Sequence, residues 1–299
     1  MLSERLALGI DIGGTHFRMG LVSETGELFA LEGQGTETLA GDDPTALLGD
    51  AILDYMRRNG VEKRVVAVCI GFPATVDKAR VTVLSAPNVQ GFDGVPVGRL
   101  LGERLSIPVY IERDVNLLLL DDLQHLDMPS PDVIACYVGT GIGNAILLGG
   151  QLLVGHNGVA GELGHIPFGD ADAPCGCGNS GCAEPLMGGV YLARLCRETF
   201  CDTPIAELFL RHGAHPLLTA YVERLGRVIA TEVNLIDPEV VLLGGGVIEM
   251  RGFPKEALEQ SILAHVRKPF PHDRLKIHYS VARNGVWGAG ILAWRKIKL

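Results

Sequence analysis

"LALGIDIGGTHFRMGLVSETGELFA" (Leu6 to Ala30) sets out an apolar strand, a glycine turn, a second strand, a Thr-Gly turn and a third strand. The order returns in "VIACYVGTGIGNAILLGGQLLVG" (Val133 to Gly155): strand, glycine turn, strand, Gly-Gly turn, strand. Each copy reads as a β-meander. Its first hairpin turn is made of glycines, free to take positive φ and to let another group approach closely. A repeat of this kind predicts two related halves.

Working outward, "DPTALLGDAILDYMRRNG" carries Leu47, Leu48, Ala51, Ile52, Tyr55 and Met56 at the 3,4 spacing of an amphipathic helix. "RVVAVCIGFPA" is a continuous β-branched run, as a strand buried on both faces requires. "PVGRLLGERLS" reads as helix, "IPVYIERD" as strand and "VNLLLLDDLQHL" as helix, so the first half is α/β. In the second half Leu217, Leu218, Tyr221, Val222, Leu225, Val228, Ile229 and Val233 share one helical face. Asp237-Pro238 then breaks the helix, and Val240 to Leu243 starts a strand that runs into three glycines. The tail "NGVWGAGILAWRK" predicts a helix whose Gly288, Ala289 and Gly290 allow close packing. No polar linker divides the chain, and the boundary is expected near Leu118 to Pro131. The expected domains are 1–117, with the terminal helix 284–299 packed back on it, and 118–283, the two meeting across a cleft.

The chain has 299 residues, 47% of them hydrophobic and 20% charged, enough for two cores. A formal net charge of −9 with scattered Lys and Arg argues against a nucleic-acid surface. The start has one Arg and a five-residue apolar run, too short for a signal-peptide core, and no 18-residue apolar stretch occurs. The expected location is therefore cytoplasmic, without membrane contact. Seven cysteines in a reducing compartment are no disulfide framework. Cys69 and Cys136 lie in apolar runs and read as small core hydrophobes, and Cys196 and Cys201 are read the same way.

Three strand-then-glycine elements point to phosphate: "GIDIGGTH" (9–16), "YVGTGIGNA" (137–145) and "LLGGGV" (242–247). Singly each is as readily a tight turn, but together they point to a ligand. None matches G-x-x-x-x-G-K-[ST], and neither of the first two opens a helix, so backbone N–H groups in hairpin turns would hold the phosphates. The residues concerned are Gly13, Gly14, Thr15 and His16, then Gly139, Thr140, Gly141 and Gly143, then Gly244 and Gly245. The Thr15 and Thr140 hydroxyls are further donors. Asp11 is a carboxylate on an otherwise apolar strand. It either bonds nearby turn amides or serves a magnesium-nucleotide complex, since a buried charge must be paired. Asp114 ends the strand "PVYIE" and precedes a helix, where an N-cap is the ordinary role of Asp.

His165-x9-Cys175-x-Cys177-x4-Cys182 offers three thiolates and one imidazole, the ligand set of a closed tetrahedral zinc site. C-x-C is not the C-x-x-C redox motif, and the histidine favours metal over thiol exchange; unrelated surface thiols are the alternative. Glu162 and Glu184 flank the group. From the residues alone they are either loop charges or hydrogen-bond acceptors for a polar ligand.

The glycine loops in this order, with "ERDVN", "GELGH" and the cysteine cluster, resemble the ROK family of sugar kinases and sugar-responsive repressors. The resemblance runs from Gly9 to the terminal helix. It implies the actin/hexokinase (ribonuclease H-like) fold, in which two duplicated α/β domains close over ATP and substrate. Repressor members carry an N-terminal helix-turn-helix; here eight residues precede Gly9, so the kinase branch is expected. The resemblance makes Asp114 the general base toward a sugar hydroxyl, Mg-ATP the co-substrate and Zn²⁺ a structural metal. It also makes His165, Glu162 and Glu184 sugar ligands. Family members commonly have Asn-Asp where this chain has Arg113-Asp114. Arg113 either donates to the sugar or turns into an ion pair, leaving Asn116 or Asn88 to bind it. Arg113-Asp114 with "GFPATV", "SAPN" and "GELGHIPFGD" looks most like bacterial D-allose kinases, implying D-allose to D-allose 6-phosphate. Glucose, fructose or N-acetylmannosamine as acceptor, and a non-catalytic regulator, are the alternatives. Members are often dimers, so a homodimer is expected.

Overall fold

The computed structural model describes residues 5–126, 131–168 and 173–298. Along the chain come β1 (Leu6–Ile12), β2 (His16–Ser23), β3 (Leu28–Gly35), α1 (Pro44–Arg58), β4 (Val65–Phe72), β5 (Thr75–Val76) and β6 (Val83–Ser85). Next are α2 (Val97–Leu105), β7 (Val109–Arg113), α3 (Asp114–Leu123), β8 (Val133–Val138), β9 (Ile142–Leu148) and β10 (Gln151–Leu152). Then follow α4 (Glu184–Met187), α5 (Gly189–Glu198), α6 (Leu208–His212), α7 (Pro216–Ile236), β11 (Val240–Gly244), α8 (Lys255–His265), β12 (Lys276–Tyr279) and α9 (Val286–Ile297). Among the described residues no helix is long and apolar enough to cross a membrane.

The chain forms two compact units: Met1–Asp127 with Val154–Ala160 and Ala282–Leu299, and Met128–Leu153 with Gly161–Val281. The first holds a sheet of order β3-β2-β1-β4-β7, the second a sheet of order β10-β9-β8-β11-β12. In each, three antiparallel strands of a meander are extended by two parallel strands. The repeat read from the two glycine-turn stretches is thus a repeat of whole sheets. The division expected at 117/118 falls inside α3, a continuous helix, and the expected boundary region includes 127–130, which lie outside the described residues.

Local chemistry accounts for the main elements. Asp43 caps α1 by accepting from Ala46 N at 2.9 Å, and Pro44 occupies the first turn, where no N–H is needed. In α7, Leu218, Tyr221, Val222, Leu225, Val228, Ile229 and Val233 are buried as the spacing predicts. Leu217, expected beside them, is exposed because it falls in the first turn, before the helix meets the core. Asp237 ends the helix in a left-handed conformation, φ +54°, directly before Pro238. Cys69 and Cys136 are fully buried, whereas Cys201 is exposed and its thiol bonds the Arg197 carbonyl, so its expected core role fails. The small residues of α9 let it lie directly on the first sheet: a Cβ on Gly9 would collide with Val286 O, and one on Gly290 with Val22.

Candidate active site

In the first unit, the ends of β1, β4 and β7 bring the predicted carboxylates together. Asp11 sits near the end of β1, half-buried, and its Oδ2 accepts from Gly285 N at 3.1 Å. Burial raises its pKa, against the opposing Gly285 bond and the charge of Arg18. Asp114 is the first residue of α3, but it does not cap that helix. Arg113 holds the N-cap position, and Asp114 Oδ1 accepts from its neighbour Val115 N, at 2.8 Å. Part of Asp114 remains open while protein surrounds the rest. Desolvation, then the charge of Asp11, pushes its pKa up to about 7, against the Val115 bond and the positive charge of Arg113. Gly71 of β4 lies between them: a Cβ there would be in contact with Asp11 Oδ1 at 3.4 Å and Asp114 Cα at 3.6 Å, and would crowd Leu117 Cδ1 at 2.7 Å. Neither Gly71 nor Gly285 stood out in the sequence, because a lone glycine in a strand or before a helix reads as punctuation.

Gly13, Gly14 and Thr15 form the exposed turn from β1 to β2, closed by Gly13 N donating to His16 O at 2.8 Å. His16 Nδ1 lies 3.1 Å from Thr15 Oγ1, and Asn88 packs against Gly14, its Cβ 3.7 Å from where a Gly14 Cβ would stand. Of the two freedoms expected of these turn glycines, positive φ is not used: Gly13, Gly14, Gly139 and Gly141 lie outside the left-handed region. What they supply is room. Arg113 is buried, with Nη1 donating to the Ala160 carbonyl at 2.6 Å, and Asn116 Nδ2 is bound to Glu112 Oε1 at 2.8 Å. Of the expected alternatives to Arg113 as a sugar donor, Asn116 is therefore occupied and Asn88 is exposed.

In the second unit, the Gly139–Gly141 turn is pinned by Gly139 N donating to Gly141 O at 3.0 Å and by Gly189 N and Val190 N donating to the carbonyls of Gly139 and Thr140. Glu184 opens α4, and its Oε2 accepts from Ile142 N at 2.9 Å. A Cβ on Gly141 would strike that carboxylate, so a side chain there would displace Glu184 from Ile142 N. A 3₁₀ turn, Leu163–His165, packs on the same place: a Cβ on Gly164 would stand 3.3 Å from the Glu184 Cβ. Glu162, His165 and Glu184 are thus gathered beside the second glycine turn, none of them a free loop charge. Gly143 lies within β9. A cavity of about 470 Å³ opens next to this turn, lined by Thr140, Val190, Ala193, Ile205, Val247 and Met250 together with Gly139, Gly189 and Gly246. Its size suits a small organic ligand, and its lining is mainly apolar. Of the third loop, Gly246 lines the cavity rather than Gly244 and Gly245. Gly244 instead packs under Ser280 and Tyr137, and Gly245, at φ +93°, packs against Val138. Val190, Ala193 and Ile205 escaped sequence reading because apolar residues on short helices look like core.

The hairpin after His165 carries the thiols. Cys175 N donates to Asn179 O at 2.8 Å, and Phe168 N and Ala183 N tie its base to Gly181 O and Ile166 O. The ligand atoms of His165, Cys175, Cys177 and Cys182 all lie within 4.8 Å of one another. Cys177 Sγ to Cys182 Sγ is 3.7 Å and Cys175 Sγ to His165 Nδ1 is 3.5 Å. A tetrahedral zinc with its usual bond lengths requires edges of about 3.8 Å between sulfurs and about 3.5 Å between sulfur and nitrogen, so the donor set fits that ion. The geometry also assigns the ring nitrogens. Nδ1 faces the thiols, and Nε2 faces Glu162 Oε2 at 3.7 Å.

The sequence profile of the ROK family matches residues 7–296. A glucokinase of Streptomyces coelicolor is 31% identical over 81% of this chain and 82% of its own. An N-acetylmannosamine kinase of Escherichia coli O157:H7 is 28% identical over 96% of this chain and 97% of its own. Among solved structures, a ROK family glucokinase from Streptomyces griseus in complex with glucose and AMPPNP superposes with a TM-score of 0.77 at 27% identity, covering 97% of this chain and 99% of that one. With carboxylates at the strand ends, paired glycine turns and a cysteine hairpin all in place, the profile match over almost the whole sequence leads to one conclusion: this chain belongs to the ROK family.

Proposed function

We propose that this chain is an ATP-dependent sugar kinase that transfers the γ-phosphoryl group of Mg-ATP to the 6-hydroxyl of a hexose, D-allose being the acceptor its sequence favours. The observation that carries the reading is Asp114: a desolvated carboxylate that caps nothing, beside a second carboxylate, at the ends of parallel strands. Such a group is suited to take a proton. In this reading Asp114 accepts the proton of the 6-hydroxyl as that oxygen attacks phosphorus. Phosphoryl transfer requires little else beyond positioning and charge neutralisation. The turn amides of Gly13–Thr15 and Gly139–Gly141 hold phosphate oxygens, and the apolar cavity beside Val190 and Val247 takes the adenine. Asp11 offers hard oxygen to the magnesium of the nucleotide complex, which would supply positive charge to the phosphates. Glu162, His165 and Glu184 bind sugar hydroxyls. Zinc on His165 and the three cysteines would fix the hairpin and the histidine tautomer, leaving Nε2–H to donate.

The relatives named as glucokinase and N-acetylmannosamine kinase support glucose and N-acetylmannosamine as competing acceptors. Allose is favoured by the resemblance of the motif set "ERDVN", "GFPATV", "SAPN" and "GELGHIPFGD" to bacterial D-allose kinases. A coupled ADP-release assay over allose, glucose, fructose and N-acetylmannosamine tests both levels. The expected result is the highest kcat/KM for allose and a 10²- to 10⁴-fold fall in Asp114→Asn, the range a general base contributes. Preference for glucose overturns the acceptor, and near-normal turnover of the variant overturns the base.

A further inference from the structure

After Leu152 the chain has no regular structure until the Leu163–His165 turn, and the stretch Val154–Ala160 packs with the first unit. Its glycines recur every third residue, and all three are left-handed: Gly155 at φ +77°, Gly158 at +88° and Gly161 at +82°. Gly158 is buried against the β5–β6 hairpin, where a Cβ would stand 2.5 Å from Val76 O and 2.8 Å from Lys78 N. Ala160 N closes the strap on itself by donating to Val154 O at 3.2 Å.

Two buried arginines hold the strap by its carbonyls. Arg113 Nη1 donates to Ala160 O at 2.6 Å, and Arg80 Nη1 to Gly158 O at 3.3 Å. Arg113 is 7% exposed and Arg80 5%. Both are organised by Glu112, itself 3% exposed. Its Oε1 lies 3.1 Å from Arg80 Nη2 and accepts from Arg113 N at 3.0 Å. Arg80 also occupies the left-handed region, φ +58°, which few side chains tolerate, and its Nε has no hydrogen-bond partner among the described residues. A buried guanidinium paired with a buried carboxylate is a costly arrangement, and a second buried guanidinium stands on the next residue. Here it ends on the backbone of the strap.

We propose that Arg80 and Arg113 are positioning residues that latch the 154–160 strap and so set where Glu162, two residues beyond Ala160, presents its carboxylate to the sugar. The inference rests on the kinase reading for the role of Glu162, but the latch itself does not. It makes Arg113 an indirect determinant of sugar affinity, acting on every hexose alike.

The test compares wild type, Arg113→Met and Arg113→Lys by sugar kinetics and by hydrogen exchange of the 154–162 amides. Kinetics are measured at about pH 8.5, above the pKa of about 7 of Asp114, to limit the effect of the rise in that pKa when the Arg113 charge is lost in Arg113→Met. Loss of one charge-assisted hydrogen bond should raise KM about tenfold for each hexose, with kcat changed less and the order of hexoses unchanged. Strap amides should exchange faster in Arg113→Met while β1 and β4 keep their protection. Lysine, able to supply one N–H to the Ala160 carbonyl, should restore both readouts. A reordering of hexose preference without lysine rescue would show that Arg113 touches the sugar and overturn the latch. Unchanged exchange of the strap would overturn it independently. If no hexose is phosphorylated by the wild type, the kinase reading fails while the exchange experiment still decides the latch.

Discussion

The proton affinity of Asp114 is set by its surroundings, and if Asp114 is the base proposed above this fixes a pH dependence. The base works ionised, and burial with the charge of Asp11 places its pKa at about 7. The kcat/KM for sugar should therefore fall tenfold per pH unit below about 7, rather than below the ordinary carboxylate range near 4. A pH profile with its acid limb near 4 would contradict the assignment. The sequence exposed Asp11 because a charge on an apolar strand must be paired. It offered capping for Asp114, and only the structure shows that Arg113 takes that position instead. The contact of Glu184 with Ile142 N spans 42 residues, so no local spacing could have announced it. The same holds for Arg80, whose partners Glu112 and Gly158 come from two distant segments.

Among elements, the cysteine hairpin was the most legible, since metal ligands are chemically distinctive and their spacing is local. What spacing left open was the ring nitrogen of His165, settled by Nδ1 at 3.5 Å from Cys175 Sγ. Metal analysis should find about one zinc per chain, and Cys177→Ser should lose it. Cys177 is exposed, so its replacement leaves the core untouched and the metal content is read directly. A metal-free, folded wild type would refute the site. The meanders and α7 were legible because their apolar periodicity is long. Elements β5, β6 and β12 were not: the first two are two and three residues long, and β12 is a half-exposed edge of four. α8 buries only Leu258 and Ile262, too weak a stripe to separate from a loop.

At the scale of the molecule, the duplication was written in the glycine turns and the return of the terminal helix was expected, but the assignment of Val154–Ala160 to the first unit was not, because that segment is far from it in sequence. Helix α9 belongs with the first unit through close approaches that only glycine permits: Gly9 of β1 against the Val286 carbonyl, Gly288 against the Leu117 carbonyl of α3, and Gly290 against the Val22 side chain of β2. Gly9→Ala should destabilise the first unit by roughly 3 kcal/mol or more, at the upper end of overpacking costs. Thermal unfolding should then split, with the amides of β1 and β2 losing protection before those of β8 and β11; a single unshifted transition would contradict this packing. The return of α9 also bears on synthesis in the cell. The strands β1 to β4 leave the ribosome early, yet the helix that covers them is translated after the whole second unit. At roughly 5–20 residues per second, the 225 residues that follow Phe72, up to Ile297, take on the order of 10 to 45 seconds. The unit that begins the chain is therefore the last to be completed, and its uncovered sheet is what a chaperone would meet on the nascent polypeptide.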